Sequence, residues 1–219
     1  MKTRLMKDNN LELLYFCLKE LDIRLDEKAI SGLIKYVELL AVWNTKVNLV
    51  SYKNPADLII LHIVDSLTLL KILNPDSPLK IMDIGTGAGL PGLILKIAVQ
   101  SLEITLVEKN QKRVLFLKEV ARTIGLEGVC IFNRDYNSLI DDKHGQKYDI
   151  VVSRAFSSKP SFFKNLTHFI RDSGSFIVMA GPSMAKQMIE IEGYSVTESW
   201  EGILPHSTVV RKLLKYSRR

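Results

Sequence analysis

The 219-residue sequence predicts an α/β protein, with a doubly wound, mostly parallel seven-stranded sheet behind an N-terminal helical extension. Three observations carry that prediction. Short β-branched runs alternate with helical patterns beyond residue 76, and such alternation implies a sheet with helices on both faces. A glycine-rich turn, Gly85-Thr86-Gly87-Ala88-Gly89, joins the first of those runs to a helix. Before the breaker cluster Asn74-Pro75-Asp76-Ser77-Pro78, only helical spacing is seen. That cluster divides an extension, 1–75, from a sheet-bearing domain, 76–219.

In chain order, Leu11, Leu14, Tyr15, Leu18 and Leu21 recur at three and four, and so do Ala29, Ile30, Leu33, Ile34, Val37, Leu40 and Ala41. A third helix starts after Asn54-Pro55 and runs to about Leu73. Strands are expected near 79–84, 103–107, 128–133, 147–153, 174–180, 194–200 and 206–215. Helices are expected near 91–100, 110–124, 160–171 and 183–190. No internal repeat or low-complexity segment interrupts the pattern.

With 47% hydrophobic residues the chain can bury a real core. Thirty basic against twenty-four acidic residues leave +6, a modest excess that suits a polyanionic partner without requiring one. Arg211, Lys212, Lys215, Arg218 and Arg219 crowd the last nine residues with no acid among them. That tail reads either as a solvated terminus or as an RNA contact. Cys17 and Cys130 sit among apolar neighbours and read as buried thiols of a reducing compartment; no C-x-x-C or H-E-x-x-H spacing offers a metal site. Leu58 to Val64 is apolar but interrupted by His62, far short of a membrane span. No signal peptide is visible, so the expectation is a cytoplasmic monomer with no membrane or metal partner.

The glycine turn carries the chemistry. Glycines 85, 87 and 89 allow positive φ and let backbone N–H groups approach a ligand that a Cβ would block. Pro91 suits the opening of the next helix. The spacing is G-x-G-x-G with Asp83 two residues before the first glycine, unlike the G-x-G-x-x-G of dinucleotide enzymes. A carboxylate there repels a pyrophosphate but attracts a cation. S-adenosylmethionine, with an amino group, a sulfonium and no phosphate, fits. Glu108, at the tip of the next strand, can accept hydrogen bonds from both ribose hydroxyls of a nucleoside. Ligands of such sheets bind at the carboxyl ends of the strands, which selects 83–92, Glu108 and the loop Ser153-Arg154-Ala155-Phe156. Arg154 points into the cleft there, with a planar fork suited to a phosphate or to the N7/O6 edge of guanine. It also reads as an arginine bridging the loop to a carboxylate. Phe156 reads as a base-stacking ring or as core. Arg134-Asp135, after the third strand, reads as the floor of an adenine site or as a surface ion pair.

These residues together resemble the glucose-inhibited division protein B family, the bacterial 16S ribosomal RNA 7-methylguanosine methyltransferases. Asp83-Ile84-Gly85-Thr86-Gly87-Ala88-Gly89-Leu90-Pro91-Gly92 is similar to that family's D-[IV]-G-[TS]-G-x-G-[LF]-P-G. Trp43-Asn44 with Asn48-Leu49-Val50-Ser51, His62-Ile63-Val64-Asp65-Ser66-Leu67, Lys112-Arg113-Val114-Leu115-Phe116-Leu117 and Ser153-Arg154-Ala155-Phe156 match further blocks in order. The resemblance implies a Rossmann-like methyltransferase sheet and transfer of a methyl group from S-adenosylmethionine to N7 of a guanosine in 16S ribosomal RNA. It implies that Asp83, Gly85, Gly87, Gly89, Leu90, Glu108, Arg134, Asp135 and Arg154 surround the cofactor. Asn48, His62, Asp65 and Arg154 would face RNA or the small ribosomal subunit, with Arg154 acting in catalysis. Beside those roles stand plainer ones: His62 as a core histidine, Asp65 as a helix-surface acid and Asn48 as a turn residue.

The chain departs from the family pattern on the RNA side. Leu61 stands where arginine usually precedes the histidine, and Met179-Ala180-Gly181 lacks the lysine of L-K-G. The family's G-E-R is represented only by Pro205-His206-Ser207, and its R-x-E reads Arg134-Asp135-Tyr136. Two other classes therefore stay open. One is an RNA- or ribosome-binding protein that keeps the cofactor without turnover. The other is a nicotinamide oxidoreductase, against which Asp83 stands.

Overall fold

The computed structural model describes residues 2–73, 78–140, 147–154, 160–181 and 191–219. The breaker cluster's residues 74–77, the expected helix 183–190, and Ala155 and Phe156 lie outside the described residues. Seven strands form one sheet: β1 (Lys80–Ile84), β2 (Glu103–Val107), β3 (Val129–Phe132), β4 (Tyr148–Arg154), β5 (Ile170–Ala180), β6 (Tyr194–Ile203) and β7 (Val210–Arg218). Their spatial order is β3-β2-β1-β4-β5-β7-β6. The first five run parallel, and β7 is antiparallel to both β5 and β6. The central strands carry near-continuous apolar runs because helices cover both faces. The order reverses between β1 and β4, and that switch point opens a crevice at the carboxyl ends of the strands.

The extension packs as the sequence pattern requires. Helix α1 spans Lys2–Glu20, and α2 spans Glu27–Asn44. Asp26 caps α2 by accepting from the Ala29 N–H at 2.7 Å, which satisfies a donor the helix cannot. The apolar stripe of α2 then buries Ile30, Leu33, Val37 and Leu40. These side chains share one core with Leu93 and Ile97 of α5 (Gly92–Ala98) and with Phe116 of α6 (Gln111–Ile124). Helix α6 is bounded by Asn110, whose side chain accepts from the Lys112 N–H, and by left-handed Gly125 at φ 76°.

The third helix is not uniform. It starts as α3 (Pro55–Leu58), passes through a π-helical turn (Ile59–Val64), and continues as α4 (Asp65–Leu67) and a 3-10 turn (Thr68–Lys71). The span expected at 160–171 is α8 (Pro160–Leu166) and a 3-10 turn, because Ile170 already begins β5. A short α7 (Asn137–Ile140) lies in a stretch where no helix was expected. Two side-chain expectations are corrected. Cys130 is exposed and only Cys17 is buried, because β3 is the sheet's edge strand. The basic tail carries the strand expected at 206–215 on to Arg218 instead of leaving it as a solvated terminus: Lys212 pairs with Glu201, Lys215 with Glu198 and Arg218 with Asp172, although Arg218 and Arg219 stay exposed. No described helix is long and apolar enough to cross a membrane.

Candidate functional site

The glycine turn is built by its two acids. Gly85, Gly87 and Gly89 take φ of 70°, 60° and 87°, conformations that L side chains rarely adopt. Asp83, at the end of β1, is fully buried. Its Oδ2 accepts from the Thr86 hydroxyl at 2.6 Å and from the Gly92 N–H at 2.8 Å. A Cβ on Gly92 would come within 2.9 Å of that same oxygen and 2.5 Å of Leu106, so only glycine lets α5 close on the acid. Pro91 caps α5 from just outside the helix. The other oxygen, Oδ1, is buried with no hydrogen-bond partner among the described residues. Burial raises the Asp83 carboxyl to about 6, against the pull of Thr86, Gly92 and Arg154. An unpartnered carboxylate oxygen under a glycine cradle is a socket for a cationic or hydrogen-bonding ligand.

Glu108 holds the loop from the other side. It is nearly buried at the tip of β2; Oε2 accepts from the Gly87 N–H at 3.0 Å and Oε1 from the Asn110 N–H at 2.8 Å. Each oxygen keeps a further lone pair, so a ribose diol can still be accepted. A cleft opens beside it, lined by Gly85, Val107, Glu108, Arg113, Arg134 and Asp135. Asp135 pairs with Lys109 at 3.7 Å, not with Arg134, and it caps α7 through the Asn137 N–H. The surface ion-pair reading of Arg134-Asp135 is thereby corrected: Asp135 is engaged by Lys109 and the Asn137 N–H, and both residues line the cleft. Arg134 is exposed at the rim. Leu90 points into the core, so only its backbone can face a ligand.

Opposite this half, Arg154 ends β4 and reaches the π-helical segment. Its Nη1 donates to the Leu61 carbonyl at 3.2 Å and to Asp65 Oδ2 at 3.1 Å, and its Nη2 meets His62 Nδ1 at 3.2 Å. Asp65 is fully buried, so it is not a helix-surface acid. A second arginine, Arg211 of β7, grips it through Nε at 2.5 Å and Nη2 at 2.9 Å. His62 Nε2 faces the Ser51 carbonyl at 3.2 Å. That partner requires the Nε2–H tautomer, which leaves Nδ1 as the acceptor for Arg154. Burial and the neighbouring Arg154 lower the imidazole to about 4, so His62 is neutral at physiological pH. Asn48 is exposed, while its motif neighbour Asn44 holds the turn by accepting from the Leu49 and Val50 N–H groups.

The two halves are joined by Tyr36 of α2. Its buried hydroxyl donates to the Ala88 carbonyl at 2.8 Å, tying the glycine loop to the extension. Burial pushes that phenol well above its ordinary value, so it acts only as a neutral donor. Tyr36, Arg113 and Arg211 are site residues that sequence reasoning missed. Arg113 lies 3.8 Å from Glu108, and its signal was the N-cap Asn110, which fixes where α6 begins. A larger groove of about 440 Å³ at the amino ends of the strands is not the site: its Lys28, Lys35 and Lys96 are occupied by backbone or amide carbonyls. Among the described residues no cluster of three His, Cys, Asp or Glu gathers to hold a metal.

Comparisons with known proteins agree with this geometry. A family model described as rRNA small subunit methyltransferase G matches residues 29–207. The chain is similar to the ribosomal RNA small subunit methyltransferase G of Acetivibrio thermocellus, 32% identical over 198 residues that cover 88% of this chain and 81% of that one. It is 32% identical over 200 residues to the protein of the same name from Francisella philomiragia, covering 89% and 94%. Among solved structures, a mutant of MtNAS in complex with S-adenosylmethionine superposes with a TM-score of 0.58 at 15% identity, over 88% of this chain and 72% of that one. That last likeness speaks for the fold alone.

Proposed function

We infer what this chain does from one premise: it belongs to the ribosomal RNA small subunit methyltransferase G family. As a member it is an S-adenosylmethionine-dependent methyltransferase of 16S ribosomal RNA. The reaction we propose is methyl transfer to N7 of a guanosine, on the small subunit or its RNA, by a cytoplasmic monomer. The helical extension, 1–75, helps bind the subunit, and 76–219 carries out the transfer.

The observation that carries the cofactor half is the buried, unpartnered Oδ1 of Asp83 beneath the left-handed glycines. Asp83 Oδ1 would hold the cofactor's methionine end, Glu108 its ribose, and the Arg134–Asp135 rim its adenine. When bound, S-adenosylmethionine supplies a methyl group already activated by its sulfonium charge.

The protein's own residues then have an orienting task. Guanine N7 offers an exposed lone pair, so no proton must leave before it attacks. His62 fits that chemistry: it is neutral, its Nδ1 lone pair is occupied by Arg154, and Asp65 is held by two arginines, so among the described residues of the cluster neither is free to act as a base. Holding the base in line can supply about 7–11 kcal/mol of the barrier. Arg154 is the residue we assign to that task, through O6 or an adjoining phosphate.

Incubating the protein with labelled S-adenosylmethionine and purified ribosomal subunits tests the reading. Label should enter the small subunit and not the large one. Nicotinamide cofactors should neither bind nor compete, and cofactor binding without turnover would favour a ribosome-binding protein instead.

A further inference from the structure

Two cations share one carboxylate in this site, and they share it unequally. Arg211 meets Asp65 with a two-point fork, Nε to Oδ1 and Nη2 to Oδ2. Arg154 reaches the same acid through one nitrogen only, at 3.1 Å, and spends its remaining contacts on the neutral Leu61 carbonyl and His62. A bidentate fork is the stronger of the two arrangements. Asp65 is thus neutralised chiefly by Arg211, and Arg154 is left as the less fully paired cation on the side of the cleft away from Asp83 and Glu108.

The topology explains how a residue 146 positions away arrives there. Strand β7 runs antiparallel to β5, with Lys212 opposite Ala180, so its first residues lie at the carboxyl edge where the parallel strands end. A Cβ on Gly181, just past β5, would lie 3.8 Å from Arg211 Nη1. Positions 61 and 180, where the family pattern carries cations, hold Leu61 and Ala180 in this chain. Both border the same cluster, and β7 brings a cation to it by another route.

We propose that Arg211 is a positioning residue for RNA: by occupying Asp65 it keeps the charge of Arg154 available to an RNA phosphate or guanine edge. This rests on the methyltransferase reading above. Without Arg211, Asp65 turns its whole carboxylate to Arg154, and the cleft loses that less fully paired cation. Removing both partners of the Asp65–Arg211 pair restores it, because Arg154 then has no acid to neutralise it.

The test measures methyl transfer to small subunits, KM for the subunit, its salt dependence and cofactor affinity. Four proteins are compared: wild type, Arg211→Gln, Arg211→Lys and the double variant Asp65→Asn/Arg211→Gln. Arg211→Gln should raise KM about ten- to hundredfold, the weight of one charge-assisted contact. Its log–log salt slope should be shallower by about 0.7, one phosphate fewer. Cofactor affinity should not change. Arg211→Lys should lie between, and the double variant should return KM to within roughly threefold of wild type because the unpaired acid is gone. A double variant as impaired as Arg211→Gln, or an unchanged KM and salt slope in Arg211→Gln, overturns the proposal. If Arg211→Gln does not fold, the double variant decides: it removes the orphaned acid and leaves Arg154 as the one unpaired group, and a raised KM there refutes the idea. Failure of the wild-type protein to methylate small subunits would refute the function itself, an outcome separate from these.

Discussion

Arg154→Ala and Asp65→Ala remove opposite ends of one contact and should not behave alike. In Arg154→Ala the buried acid keeps the Arg211 fork; the bond to Asp65 at 3.1 Å goes together with those to the neutral Leu61 carbonyl and His62, and no unpaired charge is left behind. That costs about 1.5–3 kcal/mol of folding stability. In Asp65→Ala two guanidinium groups, whose side chains are only 19% and 13% exposed, lose their shared counter-charge. Breaking a buried pair in that way costs about 3–5 kcal/mol. For a chain of this size each kcal/mol moves the melting temperature by roughly 2–4 °C. Asp65→Ala should therefore melt several degrees below Arg154→Ala, which itself melts below wild type. Differential scanning calorimetry at pH 7.5 reads the order, and titration calorimetry reads cofactor affinity on the same samples. Because Arg154 is held by the fold as well as facing the cleft, a drop in melting temperature does not by itself make it merely structural. The separating readout is the ratio of transfer to cofactor binding. Arg154→Ala should lose about 10²–10³ in methyl transfer while binding S-adenosylmethionine as before. Equal melting temperatures for the two variants, or cofactor affinity falling in step with transfer, would refute the reasoning.

Glu108→Ala should weaken S-adenosylmethionine roughly ten- to hundredfold, since it loses charge-assisted hydrogen bonds worth about 1.5–3 kcal/mol each; unchanged affinity in titration calorimetry would place the ribose elsewhere. Cofactor affinity should also fall as pH drops through about 6, where Asp83 takes up a proton. The sign follows from burial. The carboxyl sits above its ordinary 3.8 in the free protein, so its contribution to stability is full below 3.8 and is lost as pH rises through about 6. A cationic ligand favours the charged form and must displace that proton, so binding near pH 6 should release about half a proton per site, seen as a dependence of the heat on buffer ionisation. Asp83→Asn should bind weakly at every pH, with no such dependence. Methyl transfer should fall steeply with salt, with a log–log slope near −2 if about three single-stranded phosphates are neutralised. A salt-insensitive reaction on free guanosine would exclude RNA recognition.

The cofactor half of the site was legible because its determinants are local. Three glycines that must adopt positive φ, an acid before them and an acid at the next strand tip are read within 26 residues, 83–108, and each does what its chemistry requires. Even so, the sequence gives no sign that both acids also hold the loop itself. The RNA half was less legible because its contacts are remote. Asp65 and Arg211 meet across 146 positions, and a strand expected at 206–215 does not by itself say that its arginine reaches a buried acid. Apolar neighbours suggested a buried Cys130, but only the strand order shows that β3 is an edge. The π-helical turn at Ile59–Val64 is hidden for a similar reason: a run apolar at every position but His62 has no period to distinguish it from an α-helix.

The most direct measurement maps the modified nucleotide itself. Small subunits from cells lacking this protein would be incubated with it and S-adenosylmethionine. Their 16S RNA would then be cleaved by reduction and aniline treatment, which breaks the chain at 7-methylguanosine. One new cleavage at a single guanosine, reduced with Glu108→Ala at low S-adenosylmethionine and strongly reduced with Arg154→Ala at any concentration, is the predicted result. Full cofactor binding with no cleavage, or a methyl group found on another atom or on the large-subunit RNA, would contradict it.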